Sequence, residues 1–174
     1  MTFEIHSDIT NRSMTVAARA MRKVLRRKRS ILWAIFGWSV FFINALLLIP
    51  FDGEPFTLDA GTVISLLVEV MLLSVLPFQD RFNGMIACKN TLAGTKEYHV
   101  VFGEESYTVV TEVTTSTFRY ELIDAMAESQ DYIIFLMKKR YAQPLDKRTL
   151  TGGTVEEFKR FLEEKTGKTF RRVK

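Results

Sequence analysis

Two long apolar runs, nearly free of charge, constrain this chain more than anything else in it. Ile31–Ile49 reads ILWAIFGWSVFFINALLLI, with Asn44 as its strongly polar side chain, and Ala60–Phe78 reads AGTVISLLVEVMLLSVLPF, with Glu69 as its charge. At helical rise each run spans ~28 Å, close to the hydrocarbon thickness of a bilayer. A helix on a soluble domain alternates an apolar with a polar face, and these runs do not. The pattern predicts a two-helix transmembrane hairpin. The first run is too long for the core of an ordinary cleavable signal, so it is expected to stay as an anchor.

Charge sets the expected orientation. Residues 1–30 carry eight Lys/Arg, and residues 79–174 carry sixteen. The loop 50–59 between the runs holds Asp52, Glu54 and Asp59 and no base. Positive flanks mark the cytoplasmic side, so the expectation is a multi-pass cell-membrane protein with both termini inside. Cys88 is the one cysteine, which excludes an intramolecular disulfide.

Before the first run, Phe3 and Ile5 alternate as in a short strand, expected to join the C-terminal sheet from the same side of the membrane. Asn11–Ser13 offers a helix cap, and Met14, Ala18, Met21 and Leu25 recur at helical spacing opposite a basic face. This reads as a basic amphipathic helix running into the first span. Its bases Arg22, Lys23, Arg26, Arg27, Lys28 and Arg29 are candidates for anionic headgroups. Topology alone also accounts for them. A nucleic-acid partner is disfavoured, because the cluster abuts a span and lacks interleaved aromatics.

Within the spans, Gly37 and Ser39 are small enough for close helix approach, Trp38 is expected against the partner helix, and Pro77 is expected to end or kink the second span. Glu69 lies near mid-membrane, where a carboxylate costs about 2.5–3.5 kcal/mol on insertion scales. By depth it should meet Asn44, Ser39 or another copy of itself. It is a candidate intramembrane polar contact, together with Asn44.

After the second run, 79–94 reads as a connector that continues the helix until Gly94 breaks it. The period then becomes two. Tyr98, Val100 and Phe102 share one face, Gly103–Ser106 is a turn, and Tyr107, Val109, Thr111 and Val113 alternate again, which predicts a hairpin. Thr114–Thr117 reads as a turn. A third strand is expected from Phe118 through Tyr120 and Leu122 to about Met126, and Tyr132–Met137 is a fourth, continuously apolar. Gln143–Leu150 reads as irregular around Pro144. Thr154-Val-Glu-Glu157 is a capping box, followed by an apolar stripe of Val155, Phe158, Phe161 and Leu162 and a stop at Gly167. Such a helix has to cover a sheet or barrel mouth to bury its phenylalanines.

The whole reads as an α+β membrane protein: a transmembrane hairpin plus a small antiparallel β domain closed by a C-terminal helix. The parts are a cytoplasmic strand and basic helix at 1–30, spans at 31–49 and 60–78 around the outer loop 50–59, the connector 79–94, and the β domain at 95–174. The stretch STFRYELIDAMAESQDYIIFLMKKRYAQPLDKRTL, followed by GTVEEFKRFLEEK, resembles the YcxB-like membrane proteins. Tyr120, Ile123, Glu128, Tyr132–Phe135, Pro144 and Lys147 stand where that family has an aromatic, an I-x-x-x-x-E strand, an aromatic-rich strand and a proline-plus-basic segment. Tyr120 departs from the family's more frequent tryptophan. The resemblance implies a cytoplasmic β domain similar to pleckstrin-homology-like modules, and it transfers no catalytic residue.

No reaction is legible. His6, His99 and Cys88 are scattered without metal-ligand spacing, and no phosphate-binding glycine loop occurs, so no cofactor and no enzyme activity is expected. Gly152-Gly153 before the capped helix reads as a flexible linker, or as an anion site. Lys138, Lys139, Arg140, Lys147 and Arg148 are candidates for a second basic rim facing headgroups, with ordinary solvation as the alternative. The expected function is a membrane-anchored binding, scaffold or regulatory protein, presenting its β domain to a protein partner, an anionic lipid or another copy of itself. The alternatives are an oligomeric transporter or membrane enzyme centred on Glu69, and an immunity or stress factor that masks a membrane target.

Overall fold

The computed structural model describes residues 2–49, 59–138 and 140–173. The expected outer loop, apart from Asp59, and Lys139 of the expected basic rim lie outside the described residues. The chain divides into two compact units, Met1–Arg26 with Asp80–Lys174, and Arg27–Gln79. Its fold class is α+β.

In the first unit, two four-stranded sheets enclose one core. Strands β1 (Phe3–Asp8), β2 (Glu97–Phe102), β3 (Ser106–Thr111) and β4 (Thr115–Arg119) form an antiparallel sheet in that order. The N-terminal alternation is therefore a strand of the C-terminal sheet, as expected, with Ile5 opposite Val100. The second sheet runs β7 (Tyr141–Asp146), β6 (Tyr132–Met137), β5 (Ala125–Glu128), β8 (Phe170–Arg172), with β8 parallel to β5.

Three strand expectations need correction. The third strand, expected from Phe118 to Met126, is two strands in different sheets. A single 3-10 turn at Tyr120–Leu122 carries the chain from one sheet to the other. Tyr120 is buried at that corner, and its hydroxyl donates to the Gly103 carbonyl at 2.8 Å. The segment around Pro144 is a strand, not irregular. It is the edge of its sheet, where a residue without an N–H is tolerated. Thr114–Thr117, expected as a turn, enters strand β4 at Thr115 and pairs with β3; the three-residue β8 after Gly167 is not among the expected elements.

Helix α1 (Asn11–Ala20) lies on the outside of the second sheet. Thr10 and Ser13 cap it reciprocally. It buries Ser13, Ala17 and Ala20, with Met21 beyond its end, so the buried stripe is turned from the expected Met14, Ala18, Met21 and Leu25. Small residues win because they let the helix approach Ile134, Leu136 and Ala127 closely. This explains the unbroken apolar run Tyr132–Met137: Ile133 and Phe135 face the inter-sheet core, while Ile134 and Leu136 face α1. The helix does not run on into the first span. A π-helical turn at Met21–Leu25 and non-helical dihedrals at Arg26 intervene.

Helix α4 (Val155–Thr166) starts with the Thr154–Glu157 capping box and stops at Gly167, φ 64°, as expected. It seals one end of the inter-sheet core. Phe158 lies 4.7 Å from Phe102 and 5.2 Å from Phe3, ring centre to ring centre, and Phe161 meets Tyr120 edge-on. Gly152, φ 89°, is no flexible linker: a Cβ there would strike the Thr2 carbonyl, where Thr151 bridges Glu4.

In the second unit, α2 (Arg27–Leu47) and the first part of α3 (Ala60–Lys89) turn their large apolar side chains outward. Leu32, Phe36, Phe42, Leu67 and Met71 are all more than half exposed. Arg27–Leu46 is long and apolar enough to cross a membrane, and Ala60–Val75 with Pro77–Lys89 makes a second if taken as one span. Trp38 is not on a packed face. It stays exposed and meets Phe41 edge-on and Phe42 at a tilt, both on its own helix.

Candidate functional site

The sheltered faces of the apolar helices carry most of their small and polar residues. On α2 these are Ala34, Gly37, Phe41, Asn44 and Ala45; on α3 they are Thr62, Ser65, Glu69 and Leu72, at spacings of three, four and three. Asn44 Nδ2 donates to the Ser65 carbonyl at 3.3 Å, one turn from Glu69. The expected Asn44–Glu69 meeting is thus replaced by a side chain-to-backbone bond, and Ser39 is exposed. Glu69 is buried, and neither of its carboxyl oxygens has a hydrogen-bond partner among the described residues.

A second buried carboxylate, Asp80, sits eleven residues further along α3, and there the environment differs. Arg22 grips it with Nε and Nη2 at 2.7 and 2.6 Å, and Arg19 Nε approaches to 3.7 Å. The hydrogen bond to Asp80 pushes the Arg22 guanidinium up, against a smaller effect of burial. One turn on, a Cβ on Gly84 would lie 2.5 Å from the Thr15 backbone nitrogen, so only glycine lets α1 come this close. The sequence signal for the Asp80 clasp was an acid just past an apolar run, in a chain whose other basic helix had no partner.

The expected basic contacts sort into two groups. Arg22 is spent on Asp80. Lys147 Nζ donates to Glu128 Oε1 at 3.2 Å and to the Ser129 carbonyl at 2.7 Å, while Lys159 holds the other Glu128 oxygen at 2.7 Å. Burial acts to raise the Glu128 carboxyl, but these two lysines outweigh it and hold it below its ordinary range. Arg148 clasps Asp146 with Nε and Nη2 at 2.9 and 2.6 Å, which lowers the Asp146 carboxyl. Lys23 and Arg26 are also engaged in interactions. Arg27, Lys28, Arg29, Lys138 and Arg140 are exposed and have no ion pair among the described residues.

A pocket of about 550 Å³ opens between the two sheets. At the α4 end the core is full: Phe102 and Tyr107 face each other across β2 and β3 and are wholly buried. At the other end of the same strands Tyr98 faces Thr111, and the inward residues Val109, Phe118 and Met137 are only half-buried. They line the pocket with Ile9, Leu122 and Tyr98, whose hydroxyl is bound to the Pro144 carbonyl. Lys138 stands at its edge and is the one charged group among the described lining residues. It turns the chain between β6 and β7 with φ 48°, a conformation that costs a lysine free energy a glycine would not lose. The alternation of β3 was visible in the sequence; that the core stops short of its end was not.

Among the described residues no group of three or more His, Cys, Asp or Glu side chains is arranged to hold a metal ion. Residues 102–162, from the end of β2 into α4, match the family model described as YcxB-like protein. The resemblance read from the sequence is borne out over that segment. No curated protein matches the chain.

Proposed function

For a chain that is YcxB-like over residues 102–162, we propose a two-span membrane protein whose globular unit is a binding module on the cytoplasmic side, with both termini there as well. The observation that carries this reading is the inverted packing of residues 27–49 and 59–79: most large apolar side chains point outward, while Gly37, Asn44, Ser65 and Glu69 face inward. In water that arrangement forfeits the hydrophobic effect; in lipid it costs nothing and lets small and polar residues hold the helices together. The asymmetry of charge supports the orientation, since bases flank the spans on one side and acids fill the loop between them. Two small sheets closed by a C-terminal helix support a pleckstrin-homology-like reading of the globular unit, an architecture suited to ligands or partners rather than to a reaction.

Anionic headgroups are the partner we favour, met by Arg27, Lys28 and Arg29, which no carboxylate among the described residues neutralises. The test is native mass spectrometry of the full chain released from its own membranes. Retained anionic phospholipid, lost when the three bases become glutamine, supports the reading; a bare chain contradicts it. A second reading rests on one specific observation, the unpartnered Glu69. Under it the carboxyl meets another copy of the chain, and Glu69→Gln converts a native oligomer to monomer.

A further inference from the structure

We infer that the pocket between the two sheets binds a single-chain anionic amphiphile, a molecule with one acyl chain and a carboxylate or phosphate head. Three features of the pocket select that class. Its volume, about 550 Å³, lies within the ~300–1,000 Å³ typical of ligand sites. Its walls are mainly aliphatic and aromatic, with Ile9, Val109, Phe118, Leu122 and Met137 among them, and its polar lining residues, Thr95, Thr111, Thr114 and Gln143, are uncharged. Its rim carries Lys138 and no carboxylate among the described lining residues, so a single negative charge is welcome there and a positive one is not.

The folding energetics point the same way. Burying the half-exposed ends of β3 and β4 would be favourable, yet a pocket lies there and α4 packs at the opposite end. Leu122 and Tyr141 remain exposed at this rim, two of the few large apolar side chains that residues 97–173 leave in water. A lysine is kept at φ 48° where glycine would be easier, which places a cation at the mouth at the expense of the backbone. Lys138 has no ion pair of its own among the described residues. An acyl chain completes the core, and the head group supplies the missing anion. This inference is independent of the headgroup contacts assigned to Arg27–Arg29, and either can fail alone.

The test uses the full chain in lipid nanodiscs and a diazirine-bearing palmitate, with the crosslinked peptides mapped by mass spectrometry. Label is expected in the segments 109–122 and 137–144, competed by unlabelled palmitate and by a lysophospholipid with a phosphate head. Lys138→Gly relieves the backbone and keeps the fold, so the loss of a charge-assisted contact is read directly, as about a tenfold weaker competition by palmitate. Val109→Trp fills the pocket and abolishes the label there. Label confined to residues 27–79, equal competition by uncharged hexadecanol, or labelling of 109–122 by a two-chain phospholipid but not by palmitate would each overturn the inference.

Discussion

Glu69 and Asp80 lie on one helix, each 8% exposed, yet their surroundings are opposite. Asp80 is clasped by two arginines, which offset the cost of burying its charge. Glu69 has no partner among the described residues and is ringed by outward-facing Val, Leu and Met. The contrast extends to whole regions. In the two sheets and α4 most phenylalanine and isoleucine side chains are at least partly buried; in residues 27–49 and 59–79 most of them are outside and the small and polar residues inside. One chain thus packs in two opposite ways, and its division into units follows that inversion.

That comparison can be broken or sharpened by substitution. The largest effect belongs to the globular core: Phe158→Ala removes the ring that joins Phe3 and Phe102, and should cost about 3–5 kcal/mol in denaturant unfolding followed by tyrosine fluorescence. Equal leucines on the two sides come next. Leu67 is 64% exposed and Leu92 74%; Leu67→Asp should cost about 2.5–3.5 kcal/mol in a membrane-insertion assay, whereas Leu92→Asp should change unfolding by no more than about 0.5 kcal/mol. Equal costs for the two would erase the distinction.

The carboxylates themselves give a third comparison. Asp80→Asn leaves Arg22 without its anion and should destabilise the globular unit by about 2–3 kcal/mol. Glu69→Leu removes an unpartnered polar group and should leave the helix pair as stable or more so, measured by thermal melting in lipid.

A smaller effect is that of pH. Glu128 and Asp146 are both held below the ordinary carboxylate range, so the folded state binds fewer protons than the unfolded state near pH 4. Their stabilisation is present above ~4 and is lost as the pH falls through the lowered values. Hydrogen-exchange protection factors in β5, β6 and β7, referred to the intrinsic rate at each pH, should therefore fall on acidification, and less so in Lys147→Met, which already lacks one of the pairs.

How much of this was legible in the sequence depends on which signals are local. The α4 cap, its stripe and its glycine stop are contained in fourteen residues, and all were readable. So was the strand at Phe3–Ile5, from alternation alone. The Tyr120 corner was not, because an unbroken period of two hides a chain that changes sheets. Neither was the rotation of α1, since Ala17 and Ala20 look neutral until a sheet lies against them. Arg22, Lys147 and Arg148 read as headgroup candidates because nothing local marks their partners: Asp80 is far from Arg22 in sequence, Glu128 is far from Lys147, and Asp146 beside Arg148 carries no pattern that announces its burial. The pocket left no trace beyond a strand whose inner face becomes more polar toward Thr111.

The central claim, that the apolar helices span a membrane and leave the globular unit inside, is tested most directly by cysteine accessibility in intact cells. Cys88 is first replaced by serine, and single cysteines are then placed at Thr2, Asp59 and Glu104. A membrane-impermeant maleimide should label Asp59→Cys from outside, and the other two only after the cells are opened. Labelling of Glu104→Cys in intact cells, or protection of Asp59→Cys, would contradict the account.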